Sequence, residues 1–139
     1  MTTIVCNLES MASDSMATDD CTKNSVAKIF RVRRHIIGVA GCYSHCMAFI
    51  NWLKAGADED EIPSFDDVYA LVLRPEGIWV YDGHPQPYKL KDKFAAVGSG
   101  SQAALAAMHC GLSPRDSVRI AAKIDPATGG RIINKRLLT

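Results

Sequence analysis

The sequence carries no excess of either charge: 16 lysines and arginines face 15 aspartates and glutamates in 139 residues, a formal net charge of +1. That balance gives no support for general nucleic-acid or membrane-surface binding. The basic cluster Arg31, Arg33, Arg34 and His35 reads as a solvated strand end. No apolar run approaches the roughly 18 residues that a membrane-spanning helix needs. A secretion signal is also missing, because Asp14, Asp19 and Asp20 interrupt the start of the chain. Cysteines are odd in number and lack framework spacing (Cys6, Cys21, Cys42, Cys46, Cys110), so reduced thiols in a cytoplasm are the simplest account. Cys42, His45 and Cys46 invite a metal, but a closed zinc site takes four ligands, and His109-Cys110 is the only second cluster at hand. Neither metal nor cofactor is expected. The glycine-rich stretch Gly98-Ser99-Gly100-Ser101 lacks the Lys-Ser/Thr pair of a phosphate loop and has the wrong spacing for a dinucleotide fingerprint. It reads as a helix-start turn.

What is present describes one globular domain over residues 1–139, with 47% hydrophobic and 22% charged residues, long enough to bury a core. Residues 2–7 form a β-branched run that turns near Asn7-Leu8-Glu9-Ser10, and residues 11–15 can return as its partner strand. Residues 15–25 are polar and read as a loop. Residues 26–33 alternate, with Val26, Lys28, Phe30 and Val32 on one face and Ala27, Ile29, Arg31 and Arg33 on the other. Lys28 is thereby placed among apolar neighbours, where burial lowers a lysine pKa unless an anion pairs with it. Residues 36–40 form a continuous apolar strand ended by Gly41.

A helix follows from Cys42, with Cys46, Phe49, Ile50 and Leu53 at core-facing spacing and Gly56 as its stop. After the acidic loop Asp58-Glu59-Asp60-Glu61 come strands at 68–73 and 78–81, joined by a turn at 74–77, and a further strand at 94–97. Helices are expected at 102–109 and from Ser113-Pro114-Arg115-Asp116 to about 124, the second with a serine cap, proline at the first position and a carboxylate at the third. A turn at 125–130 leads to a closing strand at 131–138. Helices layered on both faces of stacked antiparallel sheets account for this order, an α+β class.

The N-terminus offers the chemistry. Removal of Met1 would leave Thr2 with its hydroxyl and a free α-amine on one residue. That amine has a reference pKa of about 7.7–8.0, so it can act as base for its own hydroxyl. The bland alternatives are a turn-capping Asp14, a Lys28 that snorkels to the sheet edge, and cysteines that pack as small apolar groups.

The motifs Thr2-Thr3-Ile4-Val5, Ala12-Ser13-Asp14-Ser15-Met16-Ala17-Thr18, Lys28-Ile29, Val39-Ala40-Gly41 and Gly98-Ser99-Gly100-Ser101, in that order, resemble the proteasome β-subunits and the HslV-type peptidase, N-terminal-nucleophile hydrolases. Asp125-Pro126-Ala127-Thr128-Gly129-Gly130 is similar to that family's Asp-x-x-Ser-Gly-Gly, with threonine at 128 in place of serine. The resemblance covers most of the chain and implies a four-layer αββα sandwich. It implies Thr2 as nucleophile and base, Asp14 as the orienting carboxylate, and Lys28 as the cation that lowers the hydroxyl pKa. The Gly41 N–H would hold the oxyanion, and Ser99, Asp125 and Thr128 would form the network holding the terminal amine. Thr18 would pair its backbone with an extended substrate, while Val26, Phe30, Val39 and Tyr43 would line the pocket for the residue before the cut.

What the resemblance implies overall is a cytoplasmic threonine peptidase acting on peptides or unfolded proteins, assembled as a homo-oligomeric ring with an ATPase unfoldase as a possible partner. The hairpin between Val5 and Asp14 is shorter than usual in the family, and the acidic stretch 58–67 stands where a second helix is usual; both bear on assembly and docking. Rival functions are a small-molecule amidase on the same fold, a silent assembly subunit that keeps Met1, and metal binding through Cys42, His45 and Cys46.

Overall fold

A computed structural model describes residues 2–18 and 21–138. The alternating residues of β1 (Thr3–Asn7) set the architecture: Ile4 and Cys6 face one way and Val5 the other, and all three are fully buried. A strand buried on both faces must lie in an inner layer. β1 pairs antiparallel with β2 (Ser10–Ser13) on one side and with β10 (Phe94–Gly98) on the other, and β11 (Ile133–Arg136) closes the sheet in the order β10-β1-β2-β11. The second sheet runs β5 (Ile29–Val32), β6 (His35–Gly41), β7 (Val68–Arg74), β8 (Gly77–Asp82), β9 (Tyr88–Lys89), also antiparallel.

Three apolar clusters correspond to the three interfaces between layers. Ile4, Cys6 and Met11 meet Ile29, Ile36, Leu71, Leu73 and Ile78 between the sheets. Val5 and Ala12 face α2 (Ser101–His109) and α3 (Pro114–Ile124), packing with Ala104, Met108, Val118 and Ala121. Ile37, Val39, Ala70 and Val72 face α1 (Tyr43–Lys54) through Cys46, Phe49 and Ile50. The result is the expected helix–sheet–sheet–helix sandwich, with two helices on one outer face and one on the other. α3 starts as its sequence dictates: Ser113 caps it by accepting from the Asp116 N–H at 3.2 Å, with Pro114 in the first turn.

Several expectations need correction. The polar stretch after Asp14 is not a plain loop but a small hairpin, β3 (Met16–Thr18) with β4 (Lys23–Ser25), in register Met16↔Ser25 to Thr18↔Lys23. Its ladder is made by the backbone, to which side-chain periodicity is blind. The strand expected from residue 26 is cut to Ile29–Val32, and Lys28 lies just outside it. Arg31, Arg33 and Arg34 are exposed as expected, but His35 begins β6 and is half-buried. The closing strand is four residues rather than eight, and β9 had no sequence signal. Leu53 packs against the α1 cluster without being fully buried. The acidic run forms one 3-10 turn, Glu59–Glu61. No described helix is long and apolar enough to cross a membrane.

Candidate active site

The ladder between β1 and β2 runs out at Ile4↔Ser13, and Asp14 marks the point. Its N–H still reaches the Thr3 carbonyl at 3.2 Å, but its side chain turns inward and is fully buried. A buried carboxylate needs donors on both oxygens. Oδ1 accepts from the Thr3 N–H (3.2 Å) and from Lys28 Nζ (2.8 Å), and Oδ2 accepts from the Gly129 N–H (3.0 Å). Lys28 reaches it because β5 begins only at Ile29: its carbonyl accepts from the Val39 N–H, while its side chain, 4% exposed, points into the protein. Nζ also donates to the Met16 carbonyl at 2.6 Å. Lys28 therefore does not snorkel, and Asp14 does more than cap a turn. Burial lowers the Lys28 pKa, opposed by the hydrogen bond and charge of Asp14. An ammonium held in this balance is closer to sharing a proton at neutral pH than a solvated lysine is.

Residue 2 is clamped from its other side. The Thr2 carbonyl accepts from the Gly100 N–H (3.5 Å), with Ser99 Oγ 3.4 Å away. The approach requires glycine at 98, where φ is +101° and an added Cβ would lie 1.9 Å from the Thr2 oxygen. Ser99 Oγ gives its one proton to Asp125 Oδ2, which receives the Thr128 hydroxyl at 2.7 Å as well. With its proton committed to Asp125, Thr128 Oγ1 accepts from the Thr3 hydroxyl, 2.7 Å away. These two donations, Ser99 first and Thr128 second, hold Asp125 below its ordinary pKa and so keep it an anion. One chain of bonds thus runs from β1 through the 98–100 turn to the 125–129 turn.

The structure brings Thr2, Asp14, Lys28, Ser99, Asp125 and Thr128 together at the start of β1. The outer network differs from expectation in its contacts: Ser99 binds Asp125 beside the Thr2 carbonyl, and Thr128 holds the hydroxyl of Thr3. Met1, on whose removal the terminal amine depends, lies outside the described residues. Sequence reasoning missed Thr3, the Met16 carbonyl and the Gly129 N–H. Only Thr3 had any available signal, a hydroxyl inside an otherwise apolar strand. Gly41 ends β6 and is exposed. Its glycine is required by φ +118° and by the Asp67 carbonyl, 1.9 Å from where a Cβ would stand, rather than by room for a ligand.

Thr18 is exposed at the end of β3, and among the described residues β3 has a ladder partner on one edge only. Val26 and Phe30 are half-buried, and Tyr43 is exposed with its hydroxyl donating to the Ala27 carbonyl at 2.8 Å. Val39 lies behind them, 2% exposed in the α1-side core, and offers a ligand almost no surface. Val26 also lines a cleft of about 430 Å³ shared with Ser15, Lys28, Ile29, Arg131 and Ile133.

The cysteines serve packing. Cys6 is fully buried, and burial pushes its thiol up to about 12; Cys46 is also pushed up to about 12, chiefly by burial, with its Sγ against the Ala40 carbonyl. Neither is a nucleophile at neutral pH. His45 Nδ1 is engaged by the Asp66 carbonyl at 2.8 Å. Among the described residues no three His, Cys, Asp or Glu side chains are grouped to hold a metal ion.

No protein-family profile matches the sequence, and no curated protein matches it significantly. Solved structures do. Thiobacillus denitrificans BPH matches with a TM-score of 0.75 at 22% identity, over 98% of this chain and 96% of that one. BPH in complex with epoxomicin matches at 0.74 and 21%, over 98% and 97%. Eukaryotic HslV from Trypanosoma brucei matches at 0.71 and 21%, over 98% of both chains. At these identities the likeness establishes the fold: the four-layer sandwich is that of HslV and the proteasome-like proteins.

The buried pair gives a direct test. Lys28→Met strands the Asp14 carboxylate and Asp14→Asn strands the ammonium, each costing about 3–5 kcal/mol in urea unfolding. The double variant is expected to lose clearly less than the sum of the two. Strictly additive losses would show that the two side chains do not act as a pair.

Proposed function

We propose that this chain is an N-terminal threonine peptidase that hydrolyses peptide bonds through Thr2 once Met1 is removed. The observation that carries the proposal is the buried Asp14–Lys28 pair beside residues 2 and 3. An ion pair removed from water is a weak source of stability, whereas a perturbed lysine with a specific charge partner is what an activated nucleophile requires.

In this reading the Thr2 hydroxyl adds to the substrate carbonyl, and its proton passes to the α-amine while the Lys28 ammonium favours the alkoxide. The Gly41 N–H donates to the oxyanion. Collapse of the tetrahedral adduct expels the amine product, which takes that proton, and leaves an ester on Thr2. Water then hydrolyses the ester with the α-amine as base. Asp14 orients Lys28, while Ser99, Asp125 and Thr128 hold the first residues of β1 in place. Thr18 presents the open edge of β3 to an extended substrate, the strand-addition mode. Val26, Phe30 and Tyr43 flank the residue before the cut, backed by Val39, and favour an apolar side chain there.

Assembly into a closed homo-oligomeric ring, service of an ATPase unfoldase and a cytoplasmic setting belong to the same proposal. The likeness to HslV supports them at the level of fold. The outer layer has a single helix followed by an acidic turn, so the surface offered to neighbours is a reduced one. Light scattering at micromolar concentration is expected to give a multiple of the chain mass; a monomer would remove the ring from the account.

Activity is tested on an unfolded protein and on a peptide library. Thr2→Ser is expected to keep part of the turnover and Thr2→Ala none. Folded Lys28→Met should lose a factor of about 10²–10⁴, the range for a positioned proton-transfer group. Undiminished peptide hydrolysis by Thr2→Ala would rule out Thr2 as nucleophile. Cleavage of small amides with no action on peptides would point to an amidase.

A further inference from the structure

At the end of β6 opposite Gly41, six residues and about 20 Å along the strand from it, a second cavity opens between the sheet and the C-terminal end of α1. Its volume is about 180 Å³, and Val32, Ile37, Leu53 and Val72 form its apolar walls. The polar side chains lining it are Arg33, His35, Arg74 and Tyr81, with no carboxylate among them. The two guanidiniums at one small cavity create a positive potential that the apolar walls do little to screen.

One donor lining this cavity is held without a partner. Arg74 Nε is buried and makes no hydrogen bond, although its guanidinium is fixed 4.4 Å above the Trp79 ring. Tyr81, 5% exposed and packed edge-on against Phe49, lines the same cavity. A buried donor left unpaired costs about 1–3 kcal/mol, so the Arg74 Nε–H at this cavity is a vacancy for an acceptor. Arg33 stands at the β5–β6 turn with φ +56°, a left-handed conformation unusual outside glycine, and reaches the Leu53 carbonyl at 3.5 Å. The Arg33 side chain lines the cavity while remaining exposed to solvent. His35 is held below its ordinary pKa by burial and by the charges of Arg74 and Arg33, against the opposing pull of Glu76.

We infer that this cavity is a binding site for a small tetrahedral or planar oxyanion, a sulfate, phosphate or carboxylate group. The Arg33 and Arg74 guanidiniums and the Tyr81 hydroxyl donate to its oxygens, and His35 adds a third charge when protonated. The volume equals the liquid share of roughly six waters, enough for the anion group and too little for a folded partner element. The site is independent of the peptidase reading, because none of its residues touches Thr2, Asp14 or Lys28.

Sulfate is the probe, since it keeps its charge between about pH 5 and 8, where histidine titrates. Backbone amide NMR of the full chain is recorded while sodium sulfate replaces sodium chloride at constant ionic strength. The expected result is a saturable shift confined to the amides around residues 33–35, 53–57, 74 and 81. Affinity should rise as the pH is lowered through the His35 titration. Arg33→Ala and Arg74→Gln should each weaken binding by about tenfold or more, the loss of one charge-assisted hydrogen bond. If Arg74→Gln does not fold, the exposed Arg33→Ala decides alone. Shifts that fail to saturate, or equal affinity in the parent and Arg33→Ala, would overturn the site. Acetate and phosphate titrations then separate a carboxylate from a phosphate ligand.

Discussion

The arrangement around the N-terminal strand depends on one buried contact, Lys28 Nζ to Asp14 Oδ1 at 2.8 Å. Two charges out of water cost several kcal/mol each, and their attraction offsets this only where the remaining hydrogen-bonding positions are filled. Here they are. Asp14 takes backbone donors from Thr3 and Gly129, and Lys28 gives a second bond to the Met16 carbonyl. Each of these partners belongs to a different segment, so the pair ties the start of β1, the end of β2, the β3 hairpin, the approach to β5 and the 125–129 turn to one point. The geometry at residue 2 follows from that convergence.

The sandwich makes the convergence possible. β1 is buried on both faces, which leaves its N-terminal end as the place where groups from other segments converge on it. The turn at 98–100 closes over the Thr2 carbonyl because Gly98 permits contact that any side chain would block. Thr3 adds a side-chain bond on the helix-facing side through Thr128 and Asp125. The first two described residues are thus fixed by backbone, by hydroxyls and by a carboxylate, from both sheet faces. Preorganisation of this kind is what lets a weak nucleophile work without reorganising its surroundings.

Much of this was legible in the sequence. The α+β class, the three helices and the central strands followed from hydrophobic period and from the Ser113-Pro114 cap. Thr2, Asp14, Lys28, Ser99, Asp125 and Thr128 were singled out by motif order and do converge. What remained hidden has a common cause. The β3–β4 hairpin, the Met16 carbonyl and the Gly129 N–H act through the backbone, which residue type does not report. The burial of Lys28 is legible from its apolar neighbours, but its place just outside β5 is not, because alternation alone does not mark where a strand starts. Val39 matched a pocket position in the motif, yet the strand alternation that buries Ile37 buries it as well. At Gly41 the need for glycine comes from the Asp67 carbonyl packed against it, which sequence does not report.

The most direct test of the account is the intact mass of the purified chain before and after incubation with epoxomicin, a peptide epoxyketone that requires the hydroxyl and free amine of one N-terminal residue. The account predicts loss of Met1 and a single adduct mapped to Thr2. A chain that has lost Met1 and remains unmodified, with the Asp14–Lys28 pair intact, would contradict it.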